Sequence, residues 1–202
     1  MQPEPSDPGA TLLALARATI SAALGSTIEV AQTAPWLQNP GACFVTLTQH
    51  GQLRGCIGTL QARRSLLTDL KANAVAAALH DPRFTPLTAG ELGHTAIEVS
   101  LLSPLQALSF KSEAQALSQL RPGLDGVVLE FGHHRSTFLP QVWEQLPRAP
   151  DFMAQLKRKA GLAPDFWDPH LHLSRYHVRQ WKESDQTPAT QDAAATPASQ
   201  RA

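Results

Sequence analysis

A run rich in β-branched and aromatic residues, Gly41 to Thr48 (GACFVTLT), and a returning run, Leu53 to Leu60 (LRGCIGTL), flank the turn signal Gln49-His50-Gly51-Gln52. That pattern specifies a β-hairpin, and it constrains the fold more than any other stretch of the chain. With Thr48 set opposite Leu53, Cys43 faces Gly58, Val45 faces Cys56 and Leu47 faces Arg54. Because side chains alternate along a strand, this register puts Arg54, Cys56 and Cys43 on one face of the sheet. A loop one residue longer or shorter would reverse the arrangement.

The rest of the chain alternates helical and extended patterns. Leu12, Leu13, Ala16, Ile20 and Leu24 form an apolar stripe over Ala10 to Leu24, which reads as an amphipathic helix. Pro35 and Pro40 bracket a loop carrying Trp36. Ser65 is placed to cap a helix whose buried stripe runs from Leu66 to Leu79, and Asp81-Pro82 stops it. Thr88 and Glu91 have the spacing of a capping box opening a single helical turn. Thr95 to Leu102 (TAIEVSLL) is a strand with Ile97, Val99 and Leu101 on one face and Glu98 and Ser100 on the other. A short helix over Ser112 to Leu120, strands at Gly126–Phe131 and Ser136–Leu139, and a helical turn after Pro140 follow. Next come a helix capped by Asp151 and closed by Gly161, and one last strand over His170 to Trp181. Hairpin-like connections without a βαβ series indicate an α+β fold.

Composition narrows the function. The 202 residues are 43% hydrophobic, enough for a core without staples. Lys+Arg and Asp+Glu are both 17, and a chain with no net charge lacks the basic excess that coating nucleic acid or an anionic membrane requires. No stretch is apolar for long enough to span a bilayer, and the polar, Pro-rich start is unlike a secretory leader. The two cysteines, Cys43 and Cys56, are expected as free thiols in a reducing, cytoplasmic setting. Residues 1–9 and 184–202 read as disordered tails around a domain at 10–183.

The segment Leu53-Arg-Gly-Cys-Ile-Gly58 resembles the signature of the AMMECR domain family, known in bacteria and archaea as AmmeMemoRadiSam system protein A. The resemblance extends to FVTL (44–47), DPRF (81–84), IEVS (97–100), FLPQV (138–142) and KAG (159–161), in the family's order and spacing. One departure is His133-His-Arg-Ser136, where the family more often has a glycine- and basic-rich turn. The resemblance implies a larger and a smaller subdomain packed together around mixed or antiparallel sheets, with the N- and C-terminal parts joining in one of them. It also implies partners, a Memo-like protein and a radical SAM enzyme. It attaches no reaction and no cofactor to the chain.

Several residues have both a chemical and a structural reading. Arg54 and Cys56, two apart on a strand, would place a guanidinium beside a thiol, which favours the nucleophilic thiolate. Gly55 and Gly58 would leave amides open to a carboxylate or phosphate. The structural reading has the glycines admitting a neighbouring backbone, with Cys56 as a small core residue. Asp81 and Arg83 either order a loop over the hairpin, Arg83 adding an anion contact, or form a capping turn. Glu98 is either the general base for Cys56 or a solvent-facing residue. The eight histidines lack metal-ligand spacing, so no metal is expected. Two functions follow: an accessory enzyme for a small anionic ligand, with Cys56 and Glu98 catalytic and Arg54, Gly55, Gly58, Asp81 and Arg83 binding, or a non-catalytic module that docks a partner through the hairpin.

Overall fold

A computed structural model describes residues 7–183. The expected tails lie outside these residues, except that Asp7, Pro8 and Gly9 open the first helix. Helix α1 (Pro8–Ala23) starts earlier than its apolar stripe suggests, because the Asp7 carboxylate accepts from the Gly9 amide at 3.0 Å and Pro8 occupies the first turn. A 3-10 turn at Pro35–Gln38 leads into the hairpin of β1 (Ala42–Gln49) and β2 (Gln52–Gly58). The turn residues His50 and Gly51 both have positive φ, 49° and 77°, as a tight hairpin turn requires. Then come α2 (Leu66–Leu79), α3 (Ala89–Leu92), β3 (Thr95–Leu102), β4 (Gln106–Ala107), α4 (Glu113–Ser118), β5 (Gly126–Phe131) and β6 (His134–Phe138). A second 3-10 turn at Pro140–Glu144 precedes α5 (Ala149–Lys159), β7 (His172–Tyr176) and β8 (Val178–Lys182).

The strands form two antiparallel sheets, in the orders β2-β1-β3-β8 and β4-β7-β5-β6. The fold is α+β, and the first sheet joins the N-terminal hairpin to the C-terminal strand. The stretch 170–181 is therefore two strands in different sheets. It breaks at His177, whose amide donates to Ser103 Oγ at 3.0 Å while its carbonyl accepts from the Ser103 amide at 2.9 Å. Ser103 lies where β3 gives way to β4, so the chain crosses between sheets twice, side by side. Two smaller differences concern caps. Arg148, not Asp151, sits at the cap of α5, and Asp151 lies in its first turn, where a carboxylate suits the helix dipole. The β5–β6 turn also closes sooner than expected, with His134 and Arg135 already in the strand.

One core lies between the first sheet and α1 and α2. It is built from Leu12, Leu15, Ile20, Val45, Leu47, Leu70, Ala74, Ile97 and Val99. A second fills the other subdomain around Leu129, Phe152, Leu156 and Trp143, with Trp143 stacked on Phe152 at 3.8 Å. A third, smaller cluster of Ala42, Leu102, Val128 and Tyr176 joins the two.

Helix α2 sits close against β2. A Cβ built on Gly55 would lie 2.2 Å from the Ala77 carbonyl oxygen, so only glycine allows this approach. Replacing Gly55 with alanine pushes the strand off the helix and should lower stability by about 2 kcal/mol. Gly90→Ala, whose added Cβ meets nothing within 4 Å, should change it by less than about 0.5 kcal/mol. Urea unfolding of the two variants checks both. Equal midpoints would mean that β2 and α2 are not in tight contact.

Candidate functional site

The hairpin register differs from the sequence reading by a bulge. Thr48 does face Leu53, but from Leu47 inward the pairing shifts: Leu47 faces Gly55, Thr46 faces Cys56, Val45 faces Ile57 and Phe44 faces Gly58. Arg54 is the extra residue. The shift moves Cys43 away from the Cys56 face. Cys43 is fully buried beneath α2, where its amide donates to Asp69 Oδ2 at 3.0 Å. Burial, aided by the Asp69 charge, pushes the Cys43 thiol pKa far up, so this sulfur is inert at neutral pH.

Cys56 lies on the other face of the sheet and is partly exposed. Thr46 is directly opposite and its hydroxyl donates to Cys56 Sγ at 3.3 Å. Next in the same row is Glu98, opposite Thr46, and then Lys182, opposite Glu98. Glu98 thus shares the face of Cys56 but stands two strands away, roughly 10 Å at the usual strand spacing. Thr46 lies between them, so the carboxylate does not reach the thiol directly. Gln180 donates to Glu98 from β8 at 3.5 Å.

β2 is an edge strand, and an edge leaves backbone groups without partners unless something covers them. Asp81 and Arg83 cover this one. Asp81, 4% exposed, accepts the Cys56 amide at 2.9 Å, and Arg83 donates to the Cys56 carbonyl at 3.1 Å. The Asp81 carboxylate also takes Arg83 Nε at 2.9 Å and its Nη2 at 2.6 Å. These bonds, first the one from the Arg83 side chain and then the backbone amides, hold the Asp81 carboxyl well below the usual carboxylate range. Asp81 in turn raises the pKa of Arg83, with a smaller contribution from the Cys56 thiol close by.

The guanidinium beside the sulfur is therefore that of Arg83. Arg54 is drawn to Glu91 at 3.2 Å and to the Thr85 carbonyl at 2.8 Å, and only 13% of its side chain is exposed. The two glycines are held in close packing contacts. Gly55 is buried against the Ala77 carbonyl, and Gly58 lies against the Phe44 ring, 2.2 Å from where its Cβ would be. Both glycines serve packing, and the Cys56 amide between them belongs to Asp81. Among the described residues, no three His, Cys, Asp or Glu side chains gather as a metal-ligand set, and no helix is long and apolar enough to cross a membrane.

A second carboxylate network, at the other end of α2, was not read from the sequence. Asp69, 1% exposed, accepts from the Cys43 amide, Thr59 Oγ1 at 2.7 Å, Arg64 Nε at 2.9 Å and Asn73 Nδ2 at 2.9 Å. It faces an open cleft of about 470 Å³, whose lining includes Thr59, Leu60, Arg63, Arg64 and Arg135. Cys56 is not in that lining. The only sequence signal for the cleft was the Arg63-Arg64 pair ahead of the Ser65 cap.

Glu91 ties Arg54 to the capping box. The Thr88 amide and then its hydroxyl, each at 2.8 Å, with help from Arg54, lower the Glu91 pKa from 4.5 to about 2. A carboxylate whose pKa falls on folding contributes stability above its unfolded value and loses it as pH drops through the folded one. The urea midpoint of the wild type should therefore fall as pH goes from 5 toward 2, the window set by Glu91. Glu91→Gln should start lower at pH 6 and lose less across that window. Parallel slopes in the two proteins would show that Glu91 contributes nothing there.

The comparisons with known proteins agree with this architecture. The AMMECR1 family model matches residues 13–181. A protein of Methanothermobacter thermautotrophicus is 36% identical over 187 residues, covering 88% of this chain and 95% of its own. One from Methanocaldococcus jannaschii is 35% identical over 160 residues, covering 75% and 78%. The crystal structure of an uncharacterised protein from Pyrococcus horikoshii superposes with a TM-score of 0.73 at 31% identity, covering 87% of this chain and 91% of that one. A family match across both sheets, with a solved structure of the same fold, places this chain in the AMMECR1 family.

Proposed function

We propose that this AMMECR1-family chain is an accessory enzyme for a small anionic ligand, with the Cys56 thiol as its reactive group and Arg83 as the guanidinium that draws the anion. The observation behind this reading is the fixed pair at the edge of β2. Cys56 is partly exposed, its backbone is held at both N–H and C=O, and the Arg83 side chain beside it is 53% exposed and available to a ligand. That guanidinium offers a carboxylate or phosphate a charge-assisted hydrogen bond. Asp81 acts as a positioning residue for both groups. Glu98, further along the same open face, meets the distal part of a bound ligand or moves a proton through the Thr46 hydroxyl. Two free cysteines suit a reducing, cytoplasmic setting.

The rival reading makes the hairpin a docking surface for a Memo-like or radical SAM partner, and exposed Leu53 near its tip suits that role. The two readings differ in what they ask of charge beside the sulfur. Alkylation rates with anionic iodoacetate and neutral iodoacetamide separate them. The enzyme reading expects a single reacting thiol, lost in Cys56→Ser, because Cys43 is buried. It also expects Arg83→Gln to slow iodoacetate about tenfold while slowing iodoacetamide much less. An unchanged ratio of the two rates in Arg83→Gln would overturn the anion role of Arg83 and favour docking.

A further inference from the structure

We infer that the cleft between the two subdomains is a second ligand site, built for a phosphorylated small molecule and separate from Cys56. Three guanidinium groups line it, from two distant parts of the chain. Arg63 and Arg64 follow the end of β2, and Arg135 comes from β6 in the other sheet. Against them the lining holds one carboxylate, Asp69, already surrounded by donors. In a chain with no net charge, this is a local concentration of positive charge.

The way each arginine is held is the stronger observation. Arg63 is anchored through Nε to Gln61 Oε1 at 2.7 Å, Arg64 through Nε to Asp69 at 2.9 Å, and Arg135 through Nε to Glu130 at 2.8 Å. Among the described residues, none of the three has a hydrogen bond from its Nη atoms. Arg17, Arg54, Arg83, Arg121 and Arg175 donate from theirs to carboxylates or carbonyls, whereas Arg148 and Arg179, outside the cleft, share the free outer nitrogens but not the common site. In the cleft, each side chain is oriented by its inner nitrogen while its outer donors stay available. Arg63 also meets no carboxylate among the described residues.

The donor arrangement selects the ligand. A carboxylate has two oxygens and one charge and satisfies a single guanidinium fork, whereas a phosphate ester has three terminal oxygens and a second charge, matching several forks together. The volume, about 470 Å³, lies within the range of small-molecule sites, so there is room for more than the phosphate. Leu60 offers an apolar surface to the group the phosphate is attached to. Because Arg135 belongs to the other sheet, a bound phosphate would bridge the two subdomains.

Isothermal titration with phenyl phosphate, and with benzoate as the carboxylate of similar shape, tests this site. The expected result is saturable one-to-one binding of phenyl phosphate that weakens with salt, and no saturable binding of benzoate. Arg63→Gln and Arg135→Gln, on separate subdomains, should each weaken phenyl phosphate about tenfold. Circular dichroism and the thermal midpoint show that each variant is folded. Absence of saturable binding by phenyl phosphate, equal binding of benzoate, or full affinity in both folded variants would overturn the proposal.

Discussion

The geometry around Cys56 depends on one buried carboxylate. Asp81, just past the end of α2, accepts the outward amide of β2 and holds the arginine that donates to the outward carbonyl of the same residue. An edge strand would otherwise present that pair of groups to any passing chain. Taking the Asp81 carboxylate out of water is costly by itself, and its hydrogen bonds from Arg83 and two backbone amides offset that cost. The result is a sulfur whose backbone is fixed on both sides and whose nearest cation is itself fixed by the same carboxylate.

Helix α2 works at both of its ends. Asp81 follows its C-terminus, while Asp69, in its first turn, gathers β1, the exit of β2 and Arg64. Between them the helix approaches so closely that Gly55 is held against the Ala77 carbonyl. The segment Leu53 to Gly58 therefore divides its work. Arg54 anchors the α3 cap through Glu91, both glycines allow close packing, and Cys56 presents its thiol to the face away from α1 and α2. Much of what looks like a chemical signature in this stretch is a packing signature.

Local signals in the sequence were good guides to local structure. The Ser65 cap, the Thr88–Glu91 capping box, the strand at Thr95–Leu102 and the tight turn at His50-Gly51 depend on residues a few positions apart, and each was legible. What escaped depends on contacts across the fold. The Arg54 bulge accompanies the approach of Ala77 to Gly55, and strand alternation alone cannot signal it. The break at His177 separates residues that pair into different sheets, and no glycine, proline or turn pair stands there to mark the passage. The pairing of Cys56 with Arg83 in place of Arg54, and the meeting of Arg135 with Arg63 and Arg64, likewise bring together residues far apart in the chain.

The most direct test of the central claim is residue-resolved hydrogen exchange at the Cys56 amide, compared between the wild type and Asp81→Asn. If the Asp81 carboxylate holds this edge, the Cys56 amide is protected in the wild type and exchanges about tenfold faster or more in the variant, while the Val45 amide inside the sheet is unchanged. Equal protection of the Cys56 amide in both proteins would contradict the account.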